Sequence, residues 1–87
     1  MKKVNKQIRL NYYQAELRIN PIALIELLEK EVLFENNEIV RVFEVYGTIF
    51  IALSKNSIMK EIESLYPNVF KKCETPILEG NIIFSTQ

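Results

Sequence analysis

Two apolar segments separated by a short turn constrain the fold more than any other feature of the chain. Residues 39–46 and 49–53 are rich in β-branched and aromatic side chains, and Gly47-Thr48 stands between them. This pattern predicts a β-hairpin, and glycine at the first turn position predicts a type II′ turn. Because both hairpin faces are largely apolar, the strand at 49–53 is expected at the centre of a sheet.

One face of the predicted hairpin is a candidate protein interface. In the expected register, Val45 pairs with Phe50 on the opposite face. The candidate face is apolar except for one carboxylate, and a contiguous apolar surface indicates a protein-interaction site. Its residues are Val42, Glu44, Tyr46, Ile49, Ile51 and Leu53.

Two amphipathic segments predict helices on either side of the hairpin. The first spans about 21–35, with Asn20 as a favoured N-cap and apolar residues near the helical period. The second spans about 56–66, and either Ser54 or Ser57 can cap it.

The two ends of the chain complete the predicted sheet. Residues 4–19 fit either a helical face or a strand with a bulge near Tyr12, and we favour the strand. Residues 68–76 are interpreted as a connection and 81–86 as a terminal strand. The order β-α-β-β-α-β predicts a single α+β domain over residues 1–87. It is ferredoxin-like, with a four-stranded antiparallel sheet and both helices on one face.

The inventory of side chains argues against catalysis. The chain has no histidine and no aspartate, a single cysteine (Cys73) and two glycines. It therefore lacks the usual groups for acid–base chemistry near neutral pH, for transition-metal binding and for a glycine-rich phosphate loop. We expect a protein that is not an enzyme, without catalytic residues, cofactor or metal.

The apolar segments are too short for a membrane span. The longest uninterrupted apolar run is 49–53, whereas a transmembrane helix needs roughly 20 residues. Polar residues interrupt any signal-peptide core near the N-terminus, and a single cysteine suits a reducing compartment. The expected location is the cytoplasm, with no membrane partner.

Basic residues near the N-terminus form an alternative candidate site. Lysine and arginine contact phosphates, and aromatic rings stack on bases, so their combination indicates single-stranded nucleic-acid binding. The candidate residues are Lys2, Lys3, Lys6, Arg9, Tyr12 and Tyr13.

Residues 46–53 resemble the central-strand motif of RNA-recognition domains. Gly47 is second in the segment, Phe50 is fifth and Ile51 is sixth, as in that motif. The resemblance implies base stacking on an open sheet face. The departures from the motif are Tyr46 in place of a basic residue, and Thr48 and Leu53 in place of aromatics.

The sequence thus leaves two functional hypotheses. The main one is a small regulator, inhibitor or adaptor, of bacterial or phage type, that binds protein and forms a homo-oligomer. The alternative is a single-stranded nucleic-acid-binding module that uses the open sheet face and the basic N-terminus. The salt dependence of binding distinguishes the two hypotheses, because phosphate contacts weaken as ionic strength rises.

Overall fold

The computed structural model describes residues 9–31, 38–76 and 80–86 and contains one antiparallel sheet and two helices. The predicted α+β class is confirmed. In chain order, the elements are β1 (Asn11–Ala15), α1 (Pro21–Glu31), β2 (Val40–Val45), β3 (Thr48–Leu53), α2 (Asn56–Leu65), β4 (Phe70–Cys73) and β5 (Asn81–Ser85).

The sheet has five strands in the order β4-β1-β3-β2-β5, so the prediction of four strands was wrong. β3 is central, as expected. The segment 68–76, interpreted as a connection, contains β4, which pairs antiparallel with β1. This strand has four residues with Lys71 and Lys72 at its centre, so it is too short for a clear alternation of apolar and polar side chains. The predicted terminal strand is present as β5 and pairs with β2.

The turn of the hairpin differs from the prediction. Tyr46 and Gly47 both have positive φ, 49° and 84°, which makes a type I′ turn with Tyr46 first. Val45 therefore pairs with Thr48 and not with Phe50, a register shift of two residues. Because side chains alternate with a period of two, this shift keeps every residue on its predicted face.

β1 is a regular strand rather than a bulged one. Its pairing with β3 runs without interruption from Asn11 opposite Leu53 to Gln14 opposite Phe50. The helical alternative is therefore wrong for residues 11–15, and the strand predicted to continue to residue 19 ends at Ala15. Residues 4–8 of the predicted segment lie outside the described residues.

α1 begins as predicted at Pro21. The Oδ1 atom of Asn20 accepts hydrogen bonds from the backbone N–H groups of Ile22 (2.9 Å) and Ala23 (3.3 Å), which completes the N-cap. The expected continuation over 32–35 lies outside the described residues.

α2 matches its predicted span but not its predicted cap. Lys55 occupies the N-cap position without a side-chain cap hydrogen bond. Ser54 is used elsewhere, because its hydroxyl oxygen accepts a hydrogen bond from the backbone N–H of Ile39 at 2.8 Å. The helix ends at Leu65, before Pro67, as expected.

The core lies between the helices and one face of the sheet. Buried residues of both helices form one cluster with alternate strand residues. We call this face of the sheet the helix-covered face. The cluster consists of Tyr13, Ala15, Leu24, Leu28, Val40, Val42, Ile49, Ile51, Leu53, Ile58, Met59, Ile62, Val69 and Phe70. Neither helix in the described part of the chain has the length and apolar character of a membrane span.

Candidate nucleic-acid interface

The candidate protein interface lies mostly on the helix-covered face. Val42, Ile49, Ile51 and Leu53 are 0–5% exposed and belong to the core. Glu44 is half-buried, and Tyr46 is 89% exposed at the hairpin turn. Of these six side chains, Tyr46 and part of Glu44 are therefore the ones that a partner can reach in the folded domain.

The opposite side of the sheet, which we call the open face, presents a different set of side chains. Strand register places β1, β3 and β4 residues side by side there, for example Tyr12 between Cys73 and Ala52. Within the described ranges, the core helices pack on the other face. The open face consists of Tyr12, Gln14, Arg41, Phe43, Val45, Thr48, Phe50, Ala52, Lys71, Cys73, Ile82 and Ser85.

Three aromatic rings form the centre of the open face. Phe43 and Phe50, a cross-strand pair, stack with ring centroids 5.4 Å apart and planes 12° apart. Tyr12 meets Phe43 edge-on, with centroids 6.3 Å apart. The small Ala52 lies between Tyr12 and Arg41 in the strand register. Phe43 is buried, whereas Tyr12 and Phe50 are only half-buried, so part of each of these two rings is available for stacking.

The charges on the open face are all positive. Arg41 and Lys71 lie on it, and its described strand residues include no carboxylate. The described side chains of α1 and α2 carry the opposite net charge, with four glutamates against two lysines. The described part of the domain is therefore polarised between its sheet side and its helix side, which favours an anionic ligand on the sheet side.

The structure brings together part of the sequence-predicted nucleic-acid site. Arg9 is exposed at the start of β1 and Tyr12 lies on the open face, while Lys2, Lys3 and Lys6 lie outside the described residues. Tyr13 points into the core.

Tyr13 is held in the core by a polar contact at the tip of its ring. Its hydroxyl donates a hydrogen bond to Oδ1 of Asn56 at 2.7 Å. Burial raises the pKa of this phenol, and the nearby Glu63 carboxylate raises it further. Tyr13 is therefore a structural residue that links β1 to α2.

A concavity of about 450 Å³ lies where the N-terminal end of β1 meets the C-terminal end of β4. We call it the end concavity. Burial raises the pKa of the Cys73 thiol in its lining, so less of this thiol is ionised at neutral pH than of a fully exposed cysteine. The lining residues are Arg9, Leu10, Asn11, Tyr12, Lys72, Cys73, Glu74 and Thr75.

Sequence reasoning missed Arg41, Phe43 and Lys71 as site residues. Arg41 and Phe43 alternate with the core residues of β2, and that alternation marks them as a second face. Lys71 had no comparable indication, because β4 itself was not predicted.

The described residues include no group of three or more metal-ligating side chains. No protein-family model, curated protein or solved structure gives a significant match to this chain.

Proposed function

We propose that this protein binds single-stranded nucleic acid on its open face. The observation that carries the proposal is the half-exposed pair Tyr12 and Phe50 between the cations Arg41 and Lys71, on a face without carboxylates among its described strand residues. Base stacking on aromatic rings and phosphate contacts to cations are the two terms that hold single strands on such surfaces. A duplex hides the faces of its bases and cannot use the rings.

A ferredoxin-like arrangement of four of the strands is part of this proposal. β1 and β2 flank β3, both run antiparallel to it, and α1 connects them. In the same way, β3 and β4 flank β1 and are connected by α2. On this reading β5 is an addition at the β2 edge. RNA-recognition domains use the open face of a four-stranded sheet for base stacking, and Phe50, the aromatic of the matched segment, lies on the open face here.

Fluorescence anisotropy with labelled oligo-dT and oligo-rU of about 12 nucleotides tests the proposal. At about 50 mM salt we expect saturable binding that weakens as salt rises, with a log–log slope near −1.4 if Arg41 and Lys71 each neutralise one phosphate. Phe50→Leu removes a stacking ring and should weaken binding by about 1–3 kcal/mol.

A matched pair of lysine variants distinguishes a site from general charge attraction. Lys71→Gln should bring the salt slope closer to zero by about 0.7. Lys60→Gln removes the same charge from an exposed position of α2 and should leave affinity and slope unchanged. Equal effects of the two variants, or an absence of binding at low salt, would overturn the proposal.

A protein interaction, including self-association, is a second candidate function. The observation that favours it is the exposure of two large apolar side chains, Leu17 (61%) and Tyr46 (89%), which line one concavity of about 270 Å³ at the hairpin end of the sheet. Exposed apolar surface of this kind is typical of interaction sites.

Sedimentation velocity over a range of protein concentrations tests self-association. We expect the wild-type sedimentation coefficient to rise with concentration and that of Tyr46→Asn to stay at the monomer value, because the asparagine keeps the turn and removes the ring. A wild-type protein that stays monomeric, or a Tyr46→Asn variant that associates equally well, would exclude self-association through this surface.

A further inference from the structure

The end concavity lies beside the open face and shares Tyr12 and Cys73 with it. A strand that stacks on Tyr12 can therefore place its next nucleotide at the concavity without crossing a gap. Its volume of about 450 Å³ is within the range of roughly 300–1,000 Å³ for small-ligand sites. It is large enough for one nucleotide.

The end concavity has cations other than those of the open face. Arg9 and Lys72 both line it, and both are exposed. Lys72 lies on the other side of β4 from the open-face Lys71, because neighbouring strand residues alternate. The end concavity thus has its own pair of cations, in addition to Arg41 and Lys71.

A second cation distinguishes a terminal phosphate from an internal one. A phosphate monoester carries about −1.5 to −2 charges near pH 7, whereas a phosphodiester in the strand carries one. Glu74, also in the lining, repels either group but penalises the monoester more. The neutral side chains of Asn11 and Thr75 complete the lining with hydrogen-bonding groups.

We propose that the end concavity binds a nucleotide carrying a terminal phosphate monoester, with Arg9 and Lys72 on the phosphate and Tyr12 against the base. The inference rests on the proposed function for its ligand. It adds a preference for strand ends that the open face alone does not supply.

The test compares three labelled oligonucleotides of one sequence, unphosphorylated, 5′-phosphorylated and 3′-phosphorylated, in the anisotropy assay. We expect one phosphorylated end to bind on the order of tenfold more tightly than the unphosphorylated strand, and which end it is fixes the polarity of the strand. Equal affinities for all three would overturn the end preference while leaving the proposed function intact. If none of the three oligonucleotides binds, the proposed function itself is overturned.

Two adjacent lysines supply the matched control. Lys72→Gln should abolish the advantage of the phosphorylated strand, because it weakens the phosphorylated strand much more than the unphosphorylated one. Lys71→Gln should weaken both strands by the same factor and preserve their ratio. If the two variants change the ratio equally, the assignment of Lys72 to the terminal phosphate is wrong. Glu74→Gln should increase the ratio.

Alkylation of the chain's single cysteine gives a second readout that separates a strand end from a free nucleotide. The phosphorylated strand should slow iodoacetamide modification of Cys73 in the wild type and lose this protection in Lys72→Gln. A free nucleoside monophosphate should protect Cys73 at much higher concentration, because it lacks the stacking contacts of the open face. If the phosphorylated strand and the free nucleoside monophosphate protect Cys73 equally at the same concentration, the ligand of the site is a free nucleotide and the proposal of a strand end is wrong.

Discussion

The helix-covered face and the open face differ although the same strands build both. In β3, Ile49, Ile51 and Leu53 point towards the helices and are buried. The alternate residues Thr48, Phe50 and Ala52 point to the open face, and none of them has a branched aliphatic side chain. Branched aliphatic residues fill space between layers, whereas an aromatic ring flanked by a small residue leaves a flat surface. Neighbouring positions of one strand therefore supply the core and the proposed binding surface separately.

A pair of truncations in β3 gives the largest expected effect. Ile51→Ala removes a fully buried side chain and should lower the free energy of unfolding by about 2–5 kcal/mol. Phe50→Leu changes a half-exposed ring and should cost less than about 1.5 kcal/mol. Urea denaturation monitored by circular dichroism measures both. Similar losses would mean that the open face is as tightly packed as the core, which would break the comparison.

The sequence predicted most elements of the fold because hydrophobic periodicity reports burial, but it assigned the face that the helices cover to a protein partner. The hairpin, both helices and the last strand follow from apolar residues at strand or helix spacing and from two local signals, the N-cap Asn20 that begins α1 and Pro67 just after the end of α2. β4 was missed because two exposed lysines occupy the centre of a four-residue strand. Tertiary pairing with β1 forms that strand, and local propensity does not indicate it.

The candidate site was less predictable than the fold, since two apolar faces look alike in sequence. The residues chosen for a protein interface were apolar enough to be core, and four of the six are core. Which face the helices cover depends on how the chain crosses the sheet. The cation Lys71 reaches the open face only through the pairing of β4 with β1, by which it lies beside Gln14.

Two adjacent tyrosines compare the faces with a smaller perturbation. Tyr13→Phe removes the hydroxyl that donates to Asn56 and should lower stability by about 1 kcal/mol. Tyr12→Phe makes the same chemical change on the open face and should be close to neutral for folding. Thermal unfolding of the two variants side by side measures the difference. If Tyr12→Phe loses more stability than Tyr13→Phe, the hydroxyl that contributes more to folding lies on the open face.

The turn that joins the two hairpin strands sets the register of both faces. Tyr46 has φ of 49°, a left-handed conformation that asparagine tolerates better, and Asn-Gly is the preferred type I′ pair. Tyr46→Asn should therefore stabilise the domain by about 0.5–1 kcal/mol, which raises Tm by a few degrees in a chain of this size. As a control, Gly47→Ala should destabilise, because its φ of 84° disfavours a side chain. Destabilisation by Tyr46→Asn would indicate that the exposed ring contributes to folding.

The smallest expected effect is a loss of folding stability at alkaline pH. One titrating group on each face contributes to it. The pKa of Cys73, on the open face, is raised above its usual value of 9.0, and that of Tyr13, in the core, above 10.0. Burial is the main cause in both. The unfolded chain therefore loses these protons first, so the two groups stabilise the fold fully below their unfolded pKa values and progressively less as pH rises through the folded ones.

Variants at the two positions separate the contributions. In urea denaturation at fixed pH, Cys73→Ser should remove the part of the decline that begins near pH 9, and Tyr13→Phe the part that begins near pH 10. Histidine is absent from the chain, so stability should be nearly constant between about pH 6 and 8. A rise in stability between pH 9 and 11 would contradict the sign of both shifts. A decline that survives in the double variant would place the titrating groups elsewhere and remove this link between the two faces.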